Sequence, residues 1–459
     1  MKPIFALAVG LAWLTLAGTS PTAAADPFAP APYVGLTHPA WTRNATIYEL
    51  NTRQFTAEGT IKAAQTQLPR IKALGADIVW LMPIQPIGQK NRKGTLGSPY
   101  SIRDYRAVNP ELGTLADLKA FVAQAHRLGL HVILDWVGNH TAWDNPMLAE
   151  HPDWYDRDWK GDPHPTPWWD WSDIIDLDYS KPALRRYMTE SMAYWVREAD
   201  VDGFRADAAG FVPLDFWETA RARLDRIKPV FLLAEWEARD MHMKAFDMTY
   251  AWTWGDAVQQ IAQGKADVGA LRTYYSWNQK AWPSGALRML GVTNHDKNAW
   301  EGTEFERLGS AVDAAIALSV VSEGVPLIYG SQEAGIHHRL AFFERDPIVW
   351  RDDPEGDLYR RLFALKKAHP ALANAPWGGR MIDAVNDAPD KVLSFVRDKD
   401  GDRVLGVFNL SAGARRVRFL DRLPEGRYTD FASGAPVTID GATVLDMPAW
   451  SYRILLRTP

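Results

Sequence analysis

The feature that most constrains this chain is a regular alternation of short apolar runs with stretches of helical spacing. Eight apolar runs can be counted, and they include Asp77–Ile84, Leu130–Val137 and Val230–Trp236. Short strands that alternate with helices are typical of a parallel sheet. An open doubly wound sheet would carry a glycine-rich phosphate turn after its first strand, and the predicted first strand, Thr46–Phe55, is not followed by one. Eight strand–helix units therefore predict an α/β fold closed as a (β/α)8 TIM barrel.

Two regions interrupt this rhythm. Residues 139–178 have no periodic pattern and are rich in His, Asp, Pro and Trp, which indicates a short irregular insertion after the third strand. From residue 373 onward the helical spacing stops, and runs such as Lys391–Arg397 and Val404–Leu410 read as strands. We therefore assign the barrel to residues 26–138 and 179–372, an inserted loop domain to 139–178, and a C-terminal antiparallel β-sandwich to 373–459.

The first 25 residues have the pattern of a secretory signal peptide. Lys2 supplies the positive charge, an apolar run follows from Ile4 to Ala17, and three alanines end at Ala25 as a cleavage site. We therefore expect an exported protein, periplasmic or secreted. A net charge of -5 offers no basic surface for nucleic acid or for an anionic membrane, and we expect no stable membrane association. The chain has no cysteine, so disulfides are excluded. The oligomeric state stays open.

Polar residues close four of the predicted strands. Charged groups at the ends of apolar strands are costly unless they are paired or used. The carboxyl ends of all barrel strands converge on one face, where the active sites of such barrels lie. Four strands that end in this way predict one active site. The residues concerned are Asp135, Asn139, His140, Arg205, Asp207, Glu235, Trp236, His295 and Asp296.

Carboxylates around one pocket beside an arginine suit the hydrolysis of a glycosidic bond. A retaining glycosidase needs one ionised carboxylate as nucleophile and one protonated carboxyl as acid. Arg205 precedes Asp207 by two residues, so both side chains point to the same face of their strand and the guanidinium would keep Asp207 ionised. Glu235 lies between apolar neighbours, which should raise its pKa. His140 and His295 could donate hydrogen bonds to sugar hydroxyls.

Six segments resemble the α-amylase family of retaining glycoside hydrolases. DWVGNH, GFRAD, AEW and TNHD are similar to the strand-end signatures of that family, in the same order. GVPLIYGSQE resembles its segment at the eighth strand, and SPYSIRDYRAVNPELGT its approach to the third helix. The resemblance covers nearly the whole chain beyond residue 25. It implies a barrel enzyme that acts on α-linked glucose polymers or oligosaccharides.

The resemblance also implies a role for each matching residue. Asp207 would be the nucleophile, Glu235 the acid/base, and Asp296 the carboxylate that grips the sugar 2- and 3-hydroxyls. Tyr100 would stack under the sugar, and Asp135 would brace Arg205. The remaining substrate-binding candidates are Arg205, His140, His295 and Trp236. The chemistry would need no cofactor, although Asn139 matches a residue that often binds a structural calcium ion.

Three positions depart from the family pattern. Gly210 and Phe211 stand where many members have Lys and His, which makes the leaving-group side more apolar. Ser101 stands where exo-acting α-glucosidases of the family often have Asp. Linkage and endo or exo action are therefore not set by the sequence. Trp168, Trp169 and Trp171 could form a sugar-stacking wall, or instead a small aromatic core of the insertion.

Three other functions are alternatives to this interpretation. A transglycosylase or isomerase of the same family would use the same glycosyl-enzyme with a different acceptor. A catalytically silent carbohydrate-binding barrel is less favoured, because all three carboxylates and Arg205 are present. A metal-dependent hydrolase is disfavoured, because the Asp, Asn and His spacings do not match those of transition-metal sites.

Overall fold

The computed structural model describes residues 28, 29 and 33–457 of the chain. The predicted signal peptide, residues 1–25, lies outside these residues. Two units are distinguished, Met1–Tyr33 and Val34–Pro459, and every element below belongs to the second. No helix in the described part of the chain is long and apolar enough to cross a membrane.

Eight parallel strands close into a barrel in which each strand pairs with the next along the chain and the last pairs with the first. The closed parallel barrel confirms the predicted (β/α)8 fold. The strands, β1 to β8, are Ile47–Leu50, Ile78–Leu81, His131–Val137, Gly203–Asp207, Phe231–Ala234, Met248–Tyr250, Leu287–Leu290 and Val325–Tyr329.

Helices follow seven of the eight barrel strands; after β5 the connection holds only the short 3₁₀ turn Arg239–His242. The sequence Thr114-Leu-Ala-Asp117 is typical of a capping box and predicts a helix that begins there. The structure confirms it, because the Thr114 side chain and Asp117 form a reciprocal capping box. The outer helices are Ile61–Gln65, Leu68–Leu74, Leu115–Arg127, Pro182–Ala199, Leu214–Leu224, Trp252–Ala262, Gly269–Ala281, Glu304–Leu308, Val312–Val321 and Pro354–Ala368.

Two boundaries near the start of the barrel differ from the sequence prediction. The first strand was predicted over Thr46–Phe55, but it ends at Leu50, and Thr52–Phe55 is a helical turn. The helical spacing of Ile61–Leu74, which ends at Gly75, predicts a single helix, but the structure divides it into Ile61–Gln65 and Leu68–Leu74. Pro69 lies in the first turn of the second segment, where its missing N–H interrupts the hydrogen bonds of a continuous helix.

The barrel interior explains how polar side chains reach one end of it. Ile47, Ile133 and Leu233 belong to the cluster of apolar residues that fills the barrel. Side chains on a strand alternate between its two faces, so the residues two positions further on also point inward, at the carboxyl end. Those residues are Glu49, Asp135 and Glu235.

The insertion contains short elements that its sequence did not reveal, among them the helix Met147–Glu150 and the 3₁₀ turn Pro152–Trp154. His140–Ala142 and Ile174–Asp176 pair as an antiparallel ribbon. Three residues per strand are too few for an alternating pattern to show. Trp154 and Tyr155 of the insertion are buried in the main core, which fixes the insertion to the barrel.

The C-terminal region is antiparallel, as predicted. Its larger sheet has six strands, in the spatial order Met381–Asp383, Val392–Lys399, Asp402–Asn409, Ser451–Arg457, Gly426–Asp430 and Pro436–Ile439. A smaller sheet pairs Arg415–Val417 with Leu445–Met447. Both sheets contribute to one apolar cluster, in which Val417 and Met447 meet Val396 and Leu405. This is the packing of a small β-sandwich.

Candidate active site

Arg205 is the centre of the site. Its side chain, on β4, is fully buried, and Nη1 donates to Asp135 Oδ1 at 2.9 Å and to Asp207 Oδ1 at 3.0 Å. Nη2 lies 2.7 Å from Glu235 Oε1. Three neighbouring strands, β3, β4 and β5, thus bring three carboxyl groups to one guanidinium, as the sequence predicted for residues on those strand ends.

Glu235 follows β5 and has an environment that favours its protonated form. Burial raises the pKa of Glu235 to about 8; the nearby charges of Asp207 and Asp296 act in the same direction, while Arg205 opposes them. Its Oε2 accepts a hydrogen bond from the Ala208 N–H at 2.7 Å. At neutral pH Glu235 therefore holds a proton that it can give away.

Asp296 has the opposite environment. Burial would raise the pKa of Asp296, but the charge and hydrogen bond of His295 bring it below the usual value. His295 Nε2 lies 3.2 Å from Asp296 Oδ2, and 42% of the Asp296 side chain is exposed. An ionised carboxylate is therefore presented to the pocket, able to accept hydrogen bonds from sugar hydroxyls.

Tyr100 contacts both Asp135, which lies beneath the pocket, and His295, which lines it. Its hydroxyl lies 3.1 Å from Asp135 Oδ2 and 2.8 Å from His295 Nε2. The phenol ring lies nearly parallel to the rings of His295 and Phe342, with centroid distances of 5.4 Å and 6.1 Å, and the three rings form one aromatic cluster. Burial raises the pKa of Asp135 to about 6 against the effect of Arg205, so Asp135 is ionised at neutral pH.

A cavity of about 470 Å³ lies above these groups, large enough for a sugar unit and its neighbours. Six of the sequence-predicted residues line it, and Arg205 and Asp135 lie beneath as its floor. Trp236 and Asn139 are not among the lining residues. The lining residues are Lys93, Ser98, Tyr100, His140, Asp170, Trp171, Asp173, Ile174, Asp207, Ala208, Glu235, His295, Asp296, Trp300, Phe342 and Phe343.

Trp236 packs behind the pocket. Its ring lies 5.5 Å from that of Phe211 and 6.0 Å from that of Trp252. It therefore supports the chain that carries Glu235. Its contact with Phe211 joins it to the aromatic residues beside the cleft.

Several lining residues were missed by sequence reasoning. Lys93, Trp300 and Phe342 lie on the loops after β2, β7 and β8, where a sequence without periodicity gives no signal. Glu49 was also missed, although a signal existed. It is a fully buried carboxylate two residues after the inward-pointing Ile47, near the end of an apolar strand, as Asp135 and Glu235 are.

Trp168, Trp169 and Trp171 of the insertion are not buried, and they do not form a core of their own. Trp171 lines the cavity, and Trp169 stacks on it with a centroid distance of 4.9 Å. The ring of Phe211 lies 6.4 Å from each of these two. Trp168 is completely exposed. Two of the three predicted wall residues thus belong to an aromatic surface beside the cleft.

Asn139, the predicted calcium ligand, is used in hydrogen bonds within the protein. Its Nδ2 donates to Asp176 Oδ1 at 3.1 Å and to Thr166 Oγ1 at 3.2 Å. Thr166 also donates to Asp176 Oδ1. Calcium takes six to eight oxygen ligands, and within residues 33–457 no group of three or more His, Asp or Glu side chains is placed to hold a metal ion. These residues do not fit a preformed metal site, and calcium at Asn139 stays a prediction.

A parallel eight-stranded barrel whose carboxyl end gathers three carboxylates around an arginine has the architecture of a barrel glycoside hydrolase. Sequence comparison gives the family. The family model described as the alpha-amylase catalytic domain matches residues 42–377, and the chain belongs to this family.

Similar proteins of known sequence and similar solved structures agree with this family assignment. The chain is 29% identical to the alpha-amylase MalA of Haloarcula japonica over 88% of this chain, but it spans only 62% of that protein. The maltogenic alpha-amylase AmyB of Thermotoga neapolitana is 32% identical, with a TM-score of 0.82 over 90% of this chain and 98% of that one. An alpha-amylase of Lactobacillus plantarum is 31% identical, with a TM-score of 0.81 over 91% and 100%. A cyclomaltodextrin glucanotransferase of Niallia circulans is 24% identical over 79% of this chain and 56% of its own.

Proposed function

We propose that this chain is a retaining α-glycoside hydrolase that cleaves α-glucosidic bonds in starch- or maltodextrin-type glucans. Asp207 is the nucleophile, Glu235 the acid/base and Asp296 the carboxylate that holds the sugar 2- and 3-hydroxyls. His140, His295 and Tyr100 contact the same sugar, while Asp135 and Arg205 hold the nucleophile from below.

The reaction proceeds in two displacements. Asp207 attacks the anomeric carbon while the bond to the leaving oxygen breaks and Glu235 gives that oxygen its proton, which leaves a glycosyl ester on Asp207. Glu235, now ionised, then takes a proton from water, whose oxygen attacks the same carbon and releases Asp207. Two inversions at one carbon retain its configuration.

One observation carries this proposal: Asp207 and Glu235 share the guanidinium of Arg205, yet burial raises the pKa of Glu235 to about 8. Two carboxyls on adjacent nitrogens of one guanidinium are close together, as a retaining mechanism requires. A carboxyl that keeps its proton beside the nucleophile is what the acid of such a pair needs to be.

A product time course tests the proposal. The wild type and Asp207→Asn are compared on maltotriose, soluble starch, pullulan, cyclodextrin and sucrose. We expect the wild type to cleave at least one glucan, and Asp207→Asn to lose about a thousandfold or more of that rate while it keeps its melting temperature. Substantial activity of Asp207→Asn would contradict the nucleophile assignment. A folded wild type that cleaves none of these substrates would contradict the glucan assignment.

Transglycosylation is a second candidate, favoured by the aromatic surface of Trp169, Trp171 and Phe211. Phe211 contacts Trp236, which follows Glu235 in sequence, so this surface lies on the side from which the leaving group departs. A sugar that stacks there would compete with water for the glycosyl-enzyme. Longer products from concentrated maltotriose would reveal it.

We further propose that the protein is exported, with residues 1–25 as the signal peptide. The mature N-terminus of protein recovered from periplasm or medium tests this. No step above uses a metal ion, so a chelator should leave kcat unchanged. A melting temperature that falls with the chelator and recovers with Ca²⁺ would instead support the predicted structural calcium.

A further inference from the structure

Glu49 is a buried carboxylate that the mechanism above does not use. It lies on β1, is fully buried, and its Oε1 is 2.5 Å from Nδ1 of His295. Its other oxygen, Oε2, has no hydrogen-bond partner in the described part of the chain. A buried carboxylate with one unsatisfied oxygen is costly, and such groups often serve an active site.

We propose that Glu49 is a positioning residue of the active site, which holds His295 as a doubly protonated imidazolium so that its Nε2–H points at Asp296 and Tyr100. Glu49 would not touch the substrate. It would act through His295, which lines the cavity. This role deepens the proposed glycosidase function and rests on it for its kinetic consequences.

The hydrogen atoms of the network support this assignment. A carboxylate can only accept, so Nδ1 of His295 must carry the hydrogen of the bond to Glu49. The Tyr100 hydroxyl has a single hydrogen, and Asp135 Oδ2, 3.1 Å away, is an acceptor that can take it. With that hydrogen donated to Asp135, the Tyr100 oxygen offers a lone pair to His295 Nε2 at 2.8 Å, and Asp296 Oδ2 lies 3.2 Å from the same nitrogen. A hydrogen on Nε2 thus faces two acceptors.

The surrounding charges favour the same state. Burial alone would lower the pKa of His295, but Asp296 and Glu49 raise it well above its usual value. The other polar groups nearby are the Tyr100 hydroxyl and, beyond it, Asp135 on β3 and Arg205 on β4. The rings of Trp80 and Phe342 enclose the imidazole and bring no charge. One positive charge is thus placed between two carboxylates.

This arrangement links β1 to the nucleophile through a continuous series of contacts. Glu49 contacts His295, which contacts Tyr100, and Tyr100 contacts Asp135. Arg205 then joins Asp135 to Asp207. Without the charge of Glu49, His295 would lose its Nε2 proton at lower pH and would turn a lone pair toward Asp296. The carboxylate that holds the sugar would then lose its donor.

The test compares Glu49→Gln with the wild type. Glutamine keeps the size of the side chain and can still accept from Nδ1, but it has no charge. The matched control is Glu333→Gln, since Glu333 is also a buried carboxylate and contacts the neighbouring β1 residue Tyr48 and Arg70. Nitrogen-15 NMR of the histidine rings, assigned with His295→Asn, follows the protonation of His295 directly and needs no enzyme activity.

We expect His295 to stay doubly protonated through pH 8 in the wild type and in Glu333→Gln. In Glu49→Gln we expect His295 to lose one proton near neutral pH. The basic limb of kcat/KM should then move toward acid by about one pH unit in Glu49→Gln alone. A wild-type His295 that titrates in the ordinary range would overturn the proposal even if Glu49→Gln failed to fold. A limb displaced equally in Glu333→Gln would also overturn it. If no glucan is cleaved, the proposed function fails, and the NMR titration still decides the role of Glu49.

Discussion

A Cβ atom added to Gly210 would lie 2.0 Å from Cε2 of the Trp236 indole ring. The ring thus packs directly on the main chain three residues after the proposed nucleophile, Asp207. Many members of the family have Lys at the position of Gly210. Any side chain at position 210 would clash with the Trp236 ring in its present position. The glycine at 210 is therefore what allows the ring to pack there.

The first prediction concerns this contact. Gly210→Ala should displace Trp236 and with it the adjacent Glu235, because a Cβ contact this short cannot be relieved without movement. We expect a stability loss of about 1–3 kcal/mol and a kcat lower by about tenfold or more. Urea unfolding and initial rates measure the two effects. Gly441→Ala, where a Cβ meets nothing within 4 Å, is the control, and equal losses in both variants would contradict the prediction.

The second prediction concerns pH and Glu235. The active form needs Glu235 protonated, and burial raises the pKa of this carboxyl to about 8. Activity should therefore fall as pH rises through about 8, and kcat/KM measured from pH 5 to 10 should show this basic limb. Glu235→Gln should lose most activity, and its residual rate should lack the limb. A limb that persists in Glu235→Gln would assign it to another group.

The same shift has a consequence for stability. The folded-state pKa of Glu235 lies above its unfolded value of about 4.5, so the folded state binds the proton more tightly. The resulting stabilisation is complete at low pH and is lost as pH rises through about 8. Glu235→Gln should therefore gain melting temperature relative to the wild type at pH 9 and gain less at pH 5. A difference independent of pH would contradict this.

The third prediction concerns Arg397, which joins the barrel to the C-terminal sheet. Its buried guanidinium donates to the main-chain oxygens of Val321, Ser322, Ala373 and Gly379. Arg397→Met would leave these buried acceptors without donors. We expect a loss of about 3 kcal/mol or more in the free energy of unfolding, measured with urea. Arg422→Met, at a side chain that is 90% exposed, should change it by less than about 0.5 kcal/mol.

The sequence was sufficient to predict the barrel and the carboxylates of the site. Asp135, Arg205 and Asp207 were predicted to share one site because they close apolar strands, and alternation put Arg205 and Asp207 on the same face of their strand. The closed barrel brings all three together. The sequence was not sufficient to predict the residues that reach the pocket from a loop, such as Lys93 and Phe342. Loop conformation depends on contacts made across the fold, and no local periodicity encodes it.

Closeness in sequence to a catalytic residue also did not predict which residues lie in the active site. Trp236 follows Glu235 and was expected in the pocket, yet the open space above Gly210 lets its ring pack behind the site. Glu49 shows the reverse case. The alternation of side chains from Ile47 predicts that Glu49 points into the barrel. Only the folded barrel brings Glu49 on β1 within hydrogen-bond distance of His295, which follows β7.

The last prediction separates the roles of two adjacent exposed tryptophans of the insertion, Trp168 and Trp169. Trp169 stacks on Trp171 beside the cleft, whereas Trp168, its neighbour in sequence, is completely exposed. If the stacked surface holds the acceptor sugar, Trp169→Ala should raise the maltotriose concentration needed for half-maximal transfer by about tenfold. Trp168→Ala is the matched control and should change it little. Phe211→Ala, at the other end of the same surface, should act like Trp169→Ala. Equal effects of Trp168→Ala and Trp169→Ala would show that general disturbance of the insertion, and not stacking, sets the balance between transfer and hydrolysis.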